Sequence, residues 1–262
     1  MARNVLSGRC MFIWKLAPVV KAEVDVPSMV RKAKAAKLSG IWIKVADGTS
    51  TYENVQPKNI ALFKALRNEC REAGISVWGW QVPHGGTLTH AKAEGELLVK
   101  LAVDLDLDGV LMDAEAGEVF FTGTDAMASA YSKTILDGLK PTSCGLAMCG
   151  NDIPTHFKDY PFEGFVKNAQ FNAPQVYYGS SPSVAHRLNR AIEANKRFDV
   201  PMFPVGAGWV GDGGGCASAS ACAERAREFI RLTHEHGYAG YSFWHWMGAP
   251  AALWEVLMDV AA

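Results

Sequence analysis

Asp108-Gly109-Val110-Leu111-Met112-Asp113-Ala114-Glu115 is an apolar run that ends in two carboxylates two positions apart. Val110 to Met112 have no polar alternation, the pattern of a strand covered on both faces, as in a parallel sheet. Side chains alternate along a strand, so Asp113 and Glu115 project from the same side with Ala114 turned away between them. Like charges held this close raise one another's pKa. That burdens a purely structural strand and suits chemistry that needs one protonated and one ionised carboxyl.

Outward from this strand, short β-rich runs alternate with longer helical stretches. The candidate strands are Cys10 to Trp14, Gly40 to Val45, Ile75 to Gln81, Gly109 to Asp113, Gly145 to Cys149, Gln175 to Tyr178, Met202 to Val205 and Tyr241 to Trp246. Helical periodicity marks Val26 to Leu38, Asn59 to Ala73, Thr87 to Val103, Asp125 to Leu139, Val184 to Lys196, Ser220 to His236 and Ala251 to Val260. Pro27 and Ser28 suit a first helical turn, Asp125 suits a cap, and Gly40, Gly74, Gly109, Gly145 and Gly240 sit where helix gives way to strand. Asn151 to Ala169 is the least regular connection. The apolar run Met11 to Val20 reads as a core strand.

Eight strand and helix units predict an α/β protein with a single (β/α)8 TIM barrel spanning residues 1–262. A doubly wound open sheet is disfavoured, because Trp14-Lys15-Leu16-Ala17-Pro18 after the first strand has no glycine to cradle a phosphate.

Composition narrows the partners. Lys and Arg number 26 against 27 Asp and Glu, which removes the electrostatic case for nucleic acid or an acidic membrane surface. No stretch approaches the ~20 apolar residues that span a bilayer. No signal peptide is visible, so the expectation is a cytoplasmic protein, or an extracellular one if a leader is missing or release is by lysis. The six cysteines form no C-x-x-C pair and are expected to be reduced, with a Cys216–Cys222 bridge conceivable. Oligomeric state is not legible.

In a barrel the active site lies at the C-terminal ends of the strands. The second strand ends in Lys44 and Asp47, the third in Trp80, Gln81 and His84, the fourth in Asp113 and Glu115. The sixth supplies Gln175, Tyr177 and Tyr178, and the eighth Trp244, His245 and Trp246. Aromatic faces beside acids suit a sugar, whose ring carries both apolar faces and hydroxyls. Glycoside hydrolysis needs one acid to protonate the leaving oxygen and a second group to stabilise the developing cation. Glu115 is the candidate general acid, and Asp113 would raise its pKa, orient it or hold a substrate amide. Asp47, Trp80, His84, Gln175, Tyr177, Trp209, Trp244 and Trp246 are candidate substrate-binding residues. The Gly-rich segment Gly206 to Gly215 is expected to form a mobile loop presenting Trp209 and Asp212. No cofactor and no metal are called for.

The Asp108 to Glu115 segment resembles the D-G-x-D-x-D-x-E strand of family 18 chitinases, and Met112-Asp113-Ala114-Glu115 is equally similar to the D-x-E strand of family 25 lysozymes. Gln175-Val176-Tyr177-Tyr178 resembles the sixth-strand Tyr motif of family 18, and Phe243-Trp244-His245-Trp246 the Trp-bearing final strand of both. Leu111 stands where the chitinase motif has its first inner Asp, and strand one lacks the acid of family 25. The resemblance implies a barrel that cleaves N-acetylhexosamine polymers such as chitin or peptidoglycan without a cofactor and with retention. Glu115 would be the acid, and Asp113 would support the substrate's acetamido group as it attacks.

Three other readings stay open. A metal-dependent hydrolase would use His84, His245, Asp113 and Glu115 as ligands. A Schiff-base lyase would use Lys44, against the simpler alternative of an ion pair with Asp47. A non-catalytic carbohydrate-binding barrel would keep the scaffold without turnover.

Overall fold

In the computed structural model, which describes residues 3–260, the apolar runs pair as β1 (Gly8–Ile13), β2 (Leu38–Asp47), β3 (Ser76–Val82), β4 (Gly109–Asp113), β5 (Gly145–Asn151), β6 (Phe171–Val176), β7 (Val205–Ala207) and β8 (Gly240–Trp244). Each is parallel to its neighbours, and β8 and β2 both pair with β1, so the sheet closes on itself. The protein is a closed eight-stranded (β/α)8 barrel. Residues 1, 2, 261 and 262 of the expected span lie outside the described residues.

Alternation along the strands builds two cores. Inward-facing Phe12, Trp42, Trp80, Leu111, Ala147, Ala173 and Phe203 fill the barrel, while Ile13, Ile43, Val110, Met112, Leu146 and Phe243 pack outward against the helices. The helical layer includes α1 (Leu16–Ala22), α2 (Val26–Ala35), α3 (Ile60–Glu72), α4 (Leu88–Asp104), α5 (Asp125–Gly138), α6 (Phe162–Val166), α7 (Val184–Asn195), α8 (Ala219–Glu235) and α9 (Ala251–Asp259). Asp25, Thr87, Ser183 and Ser218 each accept a backbone N–H at the start of α2, α4, α7 and α8. Asp125 lies in the first turn of α5 behind the cap residue Thr124.

Several boundaries differ from the sequence reading. The apolar run Met11 to Val20 is not one strand: it breaks after Ile13 and continues as α1, with Leu16, Val19 and Val20 buried. β6 begins at Phe171 and carries Pro174 inside it, and β7 begins at Val205 rather than Met202. Pro204 has no N–H to donate, and Met202 makes only a single bridge to Asn172. β8 ends at Trp244, after which a cis peptide and the 3-10 turn Trp246–Gly248 lead away from the sheet. Asn151 to Ala169 holds a 3-10 turn at Pro154–His156 and the short α6. No helix among the described residues is long and apolar enough to cross a membrane. All six cysteines are buried free thiols.

Candidate active site

The tip of β4 is held by β5. Asp113 pairs with Cys149, the Ala114 N–H donates to the Cys149 carbonyl at 2.8 Å, and the Ala116 N–H donates to Asn151 Oδ1 at 2.7 Å. The ladder therefore continues past the strand and fixes both acids on the inner side. Asp113 is buried at 4% exposure and Glu115 is half-buried. Gln175 on β6 donates to Asp113 Oδ1 at 3.4 Å and also meets the Cys149 thiol, while the Glu115 carboxyl is hydrogen-bonded to Gln175 and Asp113.

Burial pushes the Asp113 carboxyl well above the usual carboxylate range, and the charge of Glu115 adds to the rise, against the opposing charge of Lys44. Burial also raises Glu115, offset in part by the hydrogen bonds from Gln175 and with Asp113 and by the charge of Lys44. The two carboxyls titrate as a unit that retains a proton above the pH at which exposed acids lose theirs.

The acids line a cavity of about 330 Å³ whose other walls are Trp14, Lys44, Asp47, Trp80, Val82, Val119, Phe120 and Trp244. Its floor is an aromatic cluster: Phe12 meets Trp80 and Trp244 edge-on at 5.9 and 5.3 Å, and Trp80 meets Trp244 at 5.8 Å.

The opposite wall depends on an irregularity in β2. Lys44 and Asp47 are three residues apart and in a regular strand would face opposite sides. The register shifts by one between Lys44 and Ala46 against β3, a β-bulge that restores Asp47 to the inner face. Lys44 Nζ then donates to Asp47 Oδ2 at 2.7 Å and lies 4.6 Å from the Tyr52 ring centre and 5.1 Å from that of Trp80. The ion-pair reading of Lys44 is the one the structure adopts. His84 Nε2 is 2.6 Å from Asp47 Oδ1, and the buried Glu94 carboxylate accepts the His84 and Gly85 N–H groups. Burial works to raise Asp47, but the hydrogen bonds from Lys44 and His84 outweigh it and hold the carboxyl below its ordinary range.

Asp47, Trp80 and Trp244 thus meet the two acids at one cavity. Gln175 stands directly behind the acids, and the Tyr177 hydroxyl is raised by burial first and then by groups that include Glu115 and Asp113. His84 contacts the site through Asp47. Trp209 stacks edge-on against Tyr177 at 4.9 Å, with its indole N–H donating to the Asp212 carbonyl. Within the Gly-rich segment Val210 and Cys216 form a single backbone β-bridge, and the Gly179 N–H donates to the Gly214 carbonyl at 2.9 Å.

Trp246 requires correction as a candidate site residue. It is buried outside the barrel, donates to Glu23 Oε1 at 2.9 Å and packs on Trp254 at 4.7 Å. Alternation would have put it beside Trp244, but the ladder ends first. The four residues weighed as metal ligands do not converge: among the described residues, no group of three or more His, Cys, Asp or Glu side chains is placed to hold a metal ion. Cavity residues absent from the candidate set are Trp14, Lys44, Val82, Val119 and Phe120. Trp14 and Lys44 carried a signal in their strand-end positions, whereas Val119 and Phe120 lie on an irregular loop with none.

The chain superposes on a chitinase from Bacteroides thetaiotaomicron with a TM-score of 0.68 at 10% identity, covering 97% of this chain and 95% of that one. The likeness is one of fold. The endo-1,4-beta-mannanase of Rhizomucor miehei matches at a TM-score of 0.67 and 9% identity over 94% and 89% of the two chains. The spore cortex-lytic enzyme SleL of Bacillus megaterium QM B1551 matches at 0.63 and 13% over 99% and 74%. No family model and no curated protein sequence matches the chain.

Proposed function

We propose that this protein is a retaining glycoside hydrolase acting on an N-acetylhexosamine polymer, peptidoglycan or chitin. The observation that carries the reading is the Asp113–Glu115 pair, held at one strand tip and facing an aromatic cavity of sugar size. Glu115 is the more exposed of the two and takes the role of general acid toward the leaving glycosidic oxygen. Asp113, deeper and hydrogen-bonded to Gln175, orients and polarises the substrate acetamido group as its carbonyl oxygen attacks the anomeric carbon. That attack displaces the leaving group from the opposite face, and water later enters from the vacated face as the acetamido oxygen is released, so two successive inversions leave the configuration retained. Trp80 and Trp244 offer apolar faces to the ring.

The chitinase and the cortex-lytic enzyme among the similar structures support this substrate class, while the mannanase marks the fold as a scaffold for more than one sugar. Leu111, fully buried in the barrel core, leaves two acids on β4 where the chitinase motif has three.

The test is turnover of peptidoglycan and chitin by wild type and Glu115→Gln, with the anomeric configuration of the product recorded. The variant is expected to lose ~10²–10⁴-fold in kcat while still binding glycan. Full activity in Glu115→Gln would remove it as the acid, an inverted product would remove the mechanism, and binding without turnover by wild type would leave a lectin.

A further inference from the structure

We propose that Lys44 and Asp47 are positioning residues that act with opposite sign on the proton held by the Asp113–Glu115 pair, Lys44 releasing it and Asp47 retaining it. The proposal rests on the reading of those acids as the catalytic pair and adds the control of their ionisation.

Only because Val45 and Ala46 together oppose one register position do Lys44 and Asp47 share the inner face with the acids of β4. Both then line the same cavity as Asp113 and Glu115, where among the described residues Lys44 is the cation. The ammonium is held from two sides: Asp47 accepts its proton at 2.7 Å, and the rings of Tyr52 and Trp80 lie under it.

An ion pair of zero net charge would have little effect if both partners were equally screened. They are not. The Lys44 side chain is 8% exposed and that of Asp47 41%. Water weakens the field of Asp47 more than that of Lys44, so the cation prevails at the acids. In keeping with this, the charge of Lys44 lowers both carboxyls, and that of Asp47 works in the opposite direction at Asp113.

The other ionisable groups around the pair are neutral at physiological pH or more remote. Cys149 on β5, Tyr177 after β6, Tyr160 before α6 and Tyr131 on α5 are all raised by burial. His84 bonds to Asp47, and Glu94 in turn accepts the His84 backbone N–H. Lys15 pairs with Glu53 on the exposed rim.

The experiment is a titration of the Asp113 and Glu115 side-chain carboxyls by 13C NMR in wild type, Lys44→Met, Lys44→Gln and Asp47→Asn, alongside kcat/KM against pH on peptidoglycan. Removing the cation is expected to move the pair's titration to higher pH by about 1 unit, a tenfold change in proton affinity. Asp47→Asn is expected to move it to lower pH by a smaller amount. The double variant Lys44→Met with Asp47→Asn is expected to return toward wild type. A shift in the same direction for Lys44 and Asp47 variants, or none in either, overturns the proposal; if the lysine variants fail to fold, the sign for Asp47→Asn decides alone. The NMR arm needs no turnover. Opposed shifts without glycan cleavage would sink the glycosidase reading and leave this one standing, whereas cleavage with unmoved titrations would do the reverse.

Discussion

A carboxyl at 4% exposure beside a second carboxyl keeps its proton well above the ordinary range, and this has a cost in stability. In the unfolded chain Asp113 ionises near pH 3.9. The folded state binds that proton more tightly, so the group's stabilising contribution is complete below the unfolded pKa and is lost as pH rises through the folded one. Asp113→Asn keeps the shape without the charge. Its Tm at pH 7 is therefore expected to exceed that of wild type, by about 2–4 °C for each kcal/mol relieved, with the gain vanishing below about pH 4. Thermal melts across pH 3–8 check this; a variant no more stable than wild type at pH 7 would contradict it. The sign is that of a site where function opposes stability.

At the scale of the element, the acids are placed by the ladder between β4 and β5. Gly150 lies against the tip, where a Cβ would come within 2.4 Å of the Ala114 carbonyl, the peptide between the two acids. Backbone on that side has nowhere to go. Gly150→Ala is expected to cost ~1–3 kcal/mol by overpacking and to lower kcat by displacing Asp113 and Glu115 together. A folded Gly150→Ala variant with wild-type kcat would show that the tip is not held in this way. The second strand makes the complementary point. Its alternation in sequence separates Lys44 from Asp47, and only pairing with β3 reveals the bulge that unites them.

For the whole molecule, closure of the ring is the decisive event, and Arg9 is its clasp. Fully buried on β1, it donates from Nε to Tyr241 on β8 at 2.9 Å, and from Nη1 to the carbonyls of Ala36, after α2, at 2.6 Å and of Leu257 in α9. First and last elements are thereby tied at the end remote from the acids, where backbone carbonyls at helix ends favour a cation. Arg9→Met would strand these acceptors. A loss of about 3 kcal/mol, or roughly 6–12 °C in Tm, is expected, with kcat per folded molecule unchanged. Equal Tm values in the two proteins would show that closure does not depend on the clasp.

The sequence by itself determined the barrel and the acid pair, because both depend on local periodicity: apolar runs in eightfold alternation with helices, and a period of two that sends Asp113 and Glu115 the same way. Tertiary structure decided what long-range pairing controls. Strand ends moved at Pro174 and Pro204, whose missing N–H groups matter only relative to a neighbour. Trp246 left the site because the ladder stopped at Trp244, and Asp47 joined Lys44 because β2 bulges against β3. Alternation fixes a side chain's face only while the register holds, and register belongs to the pair of strands.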